Sequence, residues 1–357
     1  MSNTLLAEEK QILFDYPISK EITGRFQIQN RRFLGNKYKL LNFIEDILNE
    51  RCGEVKTFFD VFSGTGVVGH KFNSKKIKII SNDILQSNYL PLKVFLGTFE
   101  LDWDFITATI ESLNSLQSPT DNYFSKHFAN RYFTLENARK IGLIRQKIKD
   151  MDINDNVRAV LITSLIYAVD KVANTVGHYD AFRKIIDMTQ PLKLLIPEIN
   201  LTANINNEVY SEDSNTLVRR IKCDVLYMDP PYNSRQYCDA YHLLENLATW
   251  EKPQVFGKAK KMDRSHLKSK YCLISATEAF DDFINNAKCK HILLSYNNTR
   301  ETKDGRSNSR IKDPEIVRIL KQRGSVEVFE RDYRAFTAGK SDTDSHTERI
   351  FYCEVNK

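Results

Sequence analysis

Lys56-Thr57-Phe58-Phe59-Asp60-Val61-Phe62-Ser63-Gly64-Thr65-Gly66-Val67-Val68-Gly69 is the stretch on which the fold turns. From Lys56 to Ser63 it is rich in β-branched and aromatic side chains, which predicts a buried strand. The strand stops at a glycine cluster, and from Val67 onward the pattern suits a helix. Gly64, Gly66 and Gly69 stand at the spacing of a dinucleotide fingerprint, directly after a strand and opening a helix. Gly64 and Gly66 let the backbone turn tightly and approach a ligand with no side chain in between. A second apolar run, Ile77 to Ile80, leads into Asp83, 19 residues after Gly64, where a carboxylate can accept hydrogen bonds from ribose hydroxyls. An adenosine-containing cofactor fits this arrangement. The spacing alone does not separate a nicotinamide cofactor from S-adenosylmethionine, because both present adenosine to the same strand ends.

Working outward, strands alternating with helices predict an α/β fold with a mostly parallel sheet. Upstream, Leu40, Leu41, Ile44, Ile47 and Leu48 recur at helical spacing, so Arg31 to Lys37 leads into a helix. Residues 1–30 show no sustained periodicity and read as an arm laid over the surface. Residues 91–206 lack clear strands and read as a largely helical insertion, with Val157 to Lys171 its best buried helix. Strand patterns return at Glu208 to Ser211, Lys222 to Met228 and His291 to Tyr296. Two more, Ser325 to Glu330 and Arg349 to Val355, suit an antiparallel edge. Residues 31–90 and 207–357 then make up the cofactor-binding domain, and 253–271, with six lysines and arginines and little apolar content, reads as a flexible basic loop.

The 357 residues, 41% hydrophobic, supply a sizeable core. A net charge of +6 suits a polyanionic partner without requiring one. The six cysteines are too scattered for a zinc or redox site, so no metal is expected. The longest uncharged apolar run, Ala159 to Val169, is too short to span a bilayer, so the expected setting is soluble, away from any membrane, in a reducing cytoplasm.

The signal that decides between cofactors is Asp229-Pro230-Pro231-Tyr232, at the carboxyl end of the strand closing in Val225-Leu226-Tyr227-Met228. The two prolines remove two backbone donors, leaving carbonyl oxygens and the Asp229 carboxylate as a cluster of acceptors. Such a cluster suits an amino group. An aromatic amine such as that of adenine is a poor nucleophile, and accepting its hydrogens at Asp229 and the Pro230 carbonyl localises its lone pair. Alignment and fixed electrostatics then carry methyl transfer from a sulfonium, and Tyr232 offers a face on which an extruded base stacks. A nicotinamide enzyme has no use for this acceptor cluster, and an inactive DNA-binding module has no reason to keep Asp229 and Tyr232. An RNA or protein amino-group methyltransferase stays open as the alternative.

Phe33-x-Gly35-x-Lys37, Phe62-x-Gly64-x-Gly66, Asp83 and Asp229-Pro230-Pro231-Tyr232, in that order, resemble the Dam-type, alpha-group adenine-specific DNA methyltransferases. The resemblance implies a Rossmann-like three-layer S-adenosylmethionine-dependent fold with S-adenosylhomocysteine as product, and methylation of adenine N6 in double-stranded DNA. It also implies a restriction-modification setting with a cognate endonuclease, in a bacterial or phage-host cytoplasm. By the same resemblance Phe33, Lys37, Asp60, Phe62, Gly64, Thr65, Gly66, Asp83 and Asp229 surround the cofactor, with Phe33 where the family often has tryptophan. Asp213 matches the acid near the cofactor adenine, with Glu212 as the competing assignment.

The same family places target reading between the cofactor half and the tetrad, which corresponds to the helical insertion. There Lys171, His178, Tyr179, Arg183 and Lys184 are candidates for phosphate or base-edge contact. After the tetrad, Arg235 and Tyr237 are candidates beside a flipped base, and Lys258, Lys260 and Lys261 for phosphate neutralisation.

Overall fold

A computed structural model describes residues 24–297, 309–333 and 346–356. The sheet has seven strands: β1 (Thr57–Asp60), β2 (Lys78–Asn82), β3 (Glu208–Tyr210), β4 (Val225–Met228), β5 (His291–Ser295), β6 (Gly324–Tyr333) and β7 (His346–Val355). Their order is β3-β2-β1-β4-β5-β7-β6. The first five are parallel, with Phe58 facing both Ile79 and Val225, and Leu226 facing Ile292. Strand β7 enters antiparallel to β5, and β6 pairs with it as the expected antiparallel edge.

Alternation along β1 explains the layering. Phe58 points to one face and Phe59 to the other, and each is the centre of its own apolar cluster. On the Phe59 face lie α9 (Ala276–Asn286) and α10 (Asp313–Lys321). On the Phe58 face lie α1 (Leu41–Arg51), α2 (Val67–Phe72) and α3 (Gln86–Leu96). The chain reverses direction across the sheet between β1 and β4, which opens a crevice at the carboxyl ends of those two strands.

The insertion is helical as expected, with α4 (Trp103–Ser115), α5 (Tyr123–Phe128), α6 (Leu135–Asp150) and α7 (Asp155–Val172). It is no detached lobe. The cluster containing Phe58 continues through Leu92 and Phe95 of α3 into Leu161 and Leu165 of α7, so sheet face and helices share one core. The boundary drawn at residue 90 falls inside α3, whose Leu92, Val94 and Phe95 are buried.

The arm is corrected at its end. Residues 1–23 lie outside the described residues, but Arg25–Phe26 pairs in parallel with Ile196–Pro197, and Phe26 and Ile28 are buried. Phe26 lies against Tyr167 with ring centroids 4.5 Å apart. Two apolar residues flanking one glutamine are too short a pattern to read as a buried segment.

Candidate active site

The glycine loop joins β1 to α2 with Gly66 at φ 81° as the N-cap residue and Gly64 at φ 54°. Both angles favour glycine. Gly66 has a second reason: a Cβ there would lie 2.4 Å from Leu92 Cδ2. Asp83 braces the loop, its Oδ2 accepting from Gly64 N at 3.1 Å and Asn88 Nδ2 at 3.0 Å, its Oδ1 from Leu85 N at 2.9 Å. Burial pushes its carboxyl up to about 6 against those donors. Asp60, at the end of β1, is buried with neither carboxylate oxygen hydrogen-bonded. Burial, reinforced by the Asp229 charge, pushes it up to about 8.

Asp229 follows β4 at the other lip of the crevice. Lys37 Nζ lies 3.0 Å from its Oδ2 and donates to Gly35 O at 3.3 Å. Burial pushes Asp229 up to about 6, with Lys37 opposing. Burial alone lowers the Lys37 ammonium, but the charge and hydrogen bond of Asp229 together with the charges of Glu348 and Tyr232 outweigh it and hold Lys37 above its ordinary range. Both groups are therefore charged at neutral pH.

Phe33 is stacked on Tyr241 at 4.6 Å and on Tyr237 at 5.3 Å. It also touches Gly64, where a Cβ would come within 3.1 Å of the ring. Leu34 N donates to Tyr241 Oη at 2.7 Å, and Tyr237 Oη donates to Leu34 O at 3.2 Å. The Phe33 segment is thereby fixed as a wall. A cavity of about 1090 Å³ up to its open mouth lies behind it, bounded by Phe33, Asp60, Phe62, Gly64, Thr65, Asp83, Asp213, Asp229 and Pro231. A smaller cavity of about 480 Å³ lies against Tyr232, Asn233 and Arg235, and Leu34, Gly35 and Tyr237 line both. Asp229 and Tyr232, three residues apart, thus face two adjoining chambers.

A D12 class N6 adenine-specific DNA methyltransferase family model matches residues 33–307, from the Phe33 wall past the tetrad. The chain belongs to that family. Its relatives include the Type II methyltransferase M.FokI of Planomicrobium okeanokoites, 33% identical over 90% of this chain and 52% of that protein. The Type II methyltransferase M.NlaIII of Neisseria lactamica is 31% identical over 88% of this chain and 95% of that protein. The Type II methyltransferase M.CviAII of Paramecium bursaria Chlorella virus 1 is 26% identical over 90% of this chain and 97% of that protein. The chain therefore spans about half the length of the FokI enzyme and nearly all of the other two. The D12 membership accounts for the three-layer sheet and implies S-adenosylmethionine as cofactor.

The residues around the large cavity fit that cofactor: a glycine loop with no room for a Cβ, an aromatic wall at Phe33, and an orphaned buried carboxyl at Asp60. Of the two competing acids, Glu212 is held by Arg220, while Asp213 caps α8 (Ser214–Leu217) through Oδ1 and stays exposed. Pro230 sits between Asp229 and Pro231 at the strand end.

Two expectations for DNA contact, at Tyr179 and Lys261, are corrected. Tyr179 is fully buried and its hydroxyl donates to Asp170 Oδ1 at 3.2 Å, so it is a core residue. Tyr237 lines both cavities, its ring stacked on Phe33. Lys261 is held by Asp180 at 2.6 Å and Asp239 at 3.6 Å, which neutralises it. The basic segment is no loose loop. Phe256 and Lys261 form a bridge that closes a tight turn carrying Lys258 and Lys260, and farther on Lys268, Lys270 and Tyr271 line the large cavity. Lys171, Lys184, Lys258 and Arg235 are exposed, His178 is half-buried, and Arg183 is exposed but paired with Asp187 at 2.8 Å.

The residues that sequence reasoning missed include Tyr241 and Tyr271. For Tyr241 there was a signal: Tyr237 and Tyr241 are four apart at the start of helical sequence, the spacing of ring neighbours on one face. Tyr271 carried none, because its place in the cavity depends on how a long connection folds back.

Proposed function

We propose that this chain methylates the N6 amino group of adenine in double-stranded DNA, the target base being extruded into the smaller chamber. The observation that carries this is the Lys37–Asp229 pair in the chamber lined by the glycine loop, three residues along the chain from Tyr232, which lines the adjoining chamber. S-adenosylmethionine, when bound, supplies an electrophilic methyl carbon. Phe33, Gly64, Thr65, Gly66, Asp83 and Asp213 would hold it, with Asp60 and Phe62 beneath.

The chain's own residues orient the amine. Lys37 occupies Asp229 Oδ2, which leaves Oδ1 and the Pro230 carbonyl as acceptors for the two amino hydrogens. Pro230 and Pro231 stiffen the backbone so that both acceptors are fixed before the base arrives. Tyr232 supplies the stacking face. Asp229, at about 6, is ionised at neutral pH yet basic enough to take the proton the amine sheds on alkylation.

Residues 91–206 are read as the target-recognition region, with Lys171, His178, Arg183 and Lys184 as its DNA contacts, joined from outside it by Arg235 and Tyr237 beside the flipped base and by Lys258 and Lys260 on the phosphates. The Type II names of the relatives support a restriction-modification role opposite a cognate endonuclease in a bacterial or phage-host cytoplasm. No helix among the described residues is long and apolar enough to cross a membrane.

The test is incubation with tritiated-methyl S-adenosylmethionine and unmodified phage DNA, then nucleoside chromatography. Label in N6-methyl-2′-deoxyadenosine is expected. Label in a cytosine derivative, or label in RNA or protein substrates only, overturns the reading.

A further inference from the structure

We infer that Lys126, Arg131, Lys258 and Lys260 form one rigid cationic platform that seats the phosphate backbone of duplex DNA beside the smaller chamber. The inference rests on the DNA-methylating reading above and adds a docking surface to it. Lys126 and Arg131 belong to no motif, and they lie more than 120 residues from Lys258 and Lys260.

Three segments are stitched together by side-chain hydrogen bonds to backbone carbonyls. The Arg131 guanidinium donates to Lys258 O at 3.4 Å. Tyr132, fully buried, has its hydroxyl within hydrogen-bond distance of Ala259 O at 3.0 Å and Tyr179 O at 2.8 Å. Asn174, also buried, donates from Nδ2 to Arg131 O and to Arg183 O, each at 3.0 Å. The charges of Lys126 and Lys260 both reach His127, whose imidazole burial and these two cations lower below its ordinary range. Tyr179 N in turn donates to Ala240 O at 2.7 Å, and Ala240 lines the small chamber.

Such an arrangement is unfavourable for the free protein. Among the described residues, none of the four cations has an ion-pair partner. Asp180, whose charge reaches Tyr132, is held by Lys261. Lys260 also sits at φ 54°, a conformation that L side chains adopt at a cost. Asp121, which feels the Lys126 charge, is likewise held by Arg139; like charges held together while the nearby acids are paired elsewhere repel one another, and a polyanion relieves that repulsion. Because the backbone that carries these cations is already tied together, binding loses little backbone entropy. A backbone of phosphates running past the chamber is the partner it fits, with each neutralised phosphate releasing counterions.

The test is fluorescence anisotropy of a labelled duplex across a potassium chloride series, using the full chain with S-adenosylhomocysteine present. Lys126→Ala/Arg131→Ala and Lys258→Ala/Lys260→Ala are each expected to reduce the slope of log K against log salt by about 2, near 0.9 for each lost phosphate contact. Affinity at moderate salt should fall at least tenfold while S-adenosylhomocysteine affinity is unchanged. Lys147→Ala/Lys149→Ala, at the far end of α6, controls for net charge and should leave the slope alone. Wild-type protein that methylates DNA, with unaltered slopes in both double variants, overturns the platform and leaves the enzyme reading intact. Wild-type protein that neither binds nor methylates duplex DNA overturns both.

Discussion

The carboxylate of Asp170, buried at the end of α7, accepts from the backbone N–H of Arg32 at 2.9 Å and from its Nε at 3.4 Å. The helical insertion thereby grips the chain one residue before Phe33. Arg32 also donates to Thr175 O at 3.1 Å, so the loop after α7 and the cavity wall move as one piece. Asp170→Asn should leave the wall loosened. Breaking a fully buried pair costs about 3–5 kcal/mol, but the Arg32 side chain is 37% exposed, so solvent screening reduces the expected loss to about 1–2 kcal/mol. Urea denaturation measures that loss. Titration with S-adenosylhomocysteine should show weaker binding, with a smaller effect on kcat.

Asp229→Ala removes the carboxylate that Lys37 holds. Methyl transfer should fall at least about 1000-fold, the scale for losing a fixed electrostatic group at a reacting centre, while duplex binding stays near wild type. Single-turnover assays with tritiated S-adenosylmethionine and anisotropy on the same preparation check the two halves. Near-normal turnover would remove Asp229 from the chemistry.

The pH dependence follows from the same carboxyl. Asp229 can take the amine's proton and accept at both oxygens only when ionised, and burial pushes it up to about 6. The kcat/KM profile should be flat above neutrality and fall about tenfold per pH unit below that midpoint. Lys37 opposes the upward shift, so Lys37→Met should move the midpoint to higher pH. A profile unmoved by that substitution contradicts the pairing.

Asp60 costs stability when ionised. Its folded-state value is pushed up to about 8 from the ordinary carboxylate range, so the folded protein holds a proton that the unfolded chain releases. Stability should therefore decline as pH rises from about 4 to about 8 and level off beyond. Asp60→Asn should flatten that decline and raise the urea midpoint at pH 8. If the carboxyl faces the bound cofactor, S-adenosylhomocysteine affinity should drop by about tenfold, the worth of one charge-assisted hydrogen bond.

Gly66→Ala places a methyl 2.4 Å from Leu92 Cδ2 and 3.1 Å from Ile28 Cδ1, at φ 81°. Left-handed strain and overpacking each cost about 1–3 kcal/mol. The variant should unfold at markedly lower urea and lose cofactor binding before it loses its far-UV circular dichroism. Gly53, at φ 57° with nothing near its Cβ position, is the comparison that isolates the backbone term.

The sheet, the glycine loop and the tetrad are legible in local pattern, because each is written in neighbouring residues. Near-continuous apolar runs in Thr57–Asp60 and Val225–Met228 encode strands buried on both faces, and Gly64 and Gly66 encode a turn that only a residue without Cβ makes easily. The antiparallel edge was legible for the same reason. What only the tertiary structure decided were pairings between distant segments. The environment of a side chain depends on what packs against it, and local pattern does not record that. Tyr179 has the composition of a contact residue but is enclosed by the core. Lys261 looks like its neighbours Lys258 and Lys260, yet Asp180 and Asp239, from two other segments, neutralise it alone. Asp170 is unremarked in the sequence and becomes the anchor of the cavity wall once α7 packs against α3, because burial turns an ordinary carboxylate into one that must be satisfied.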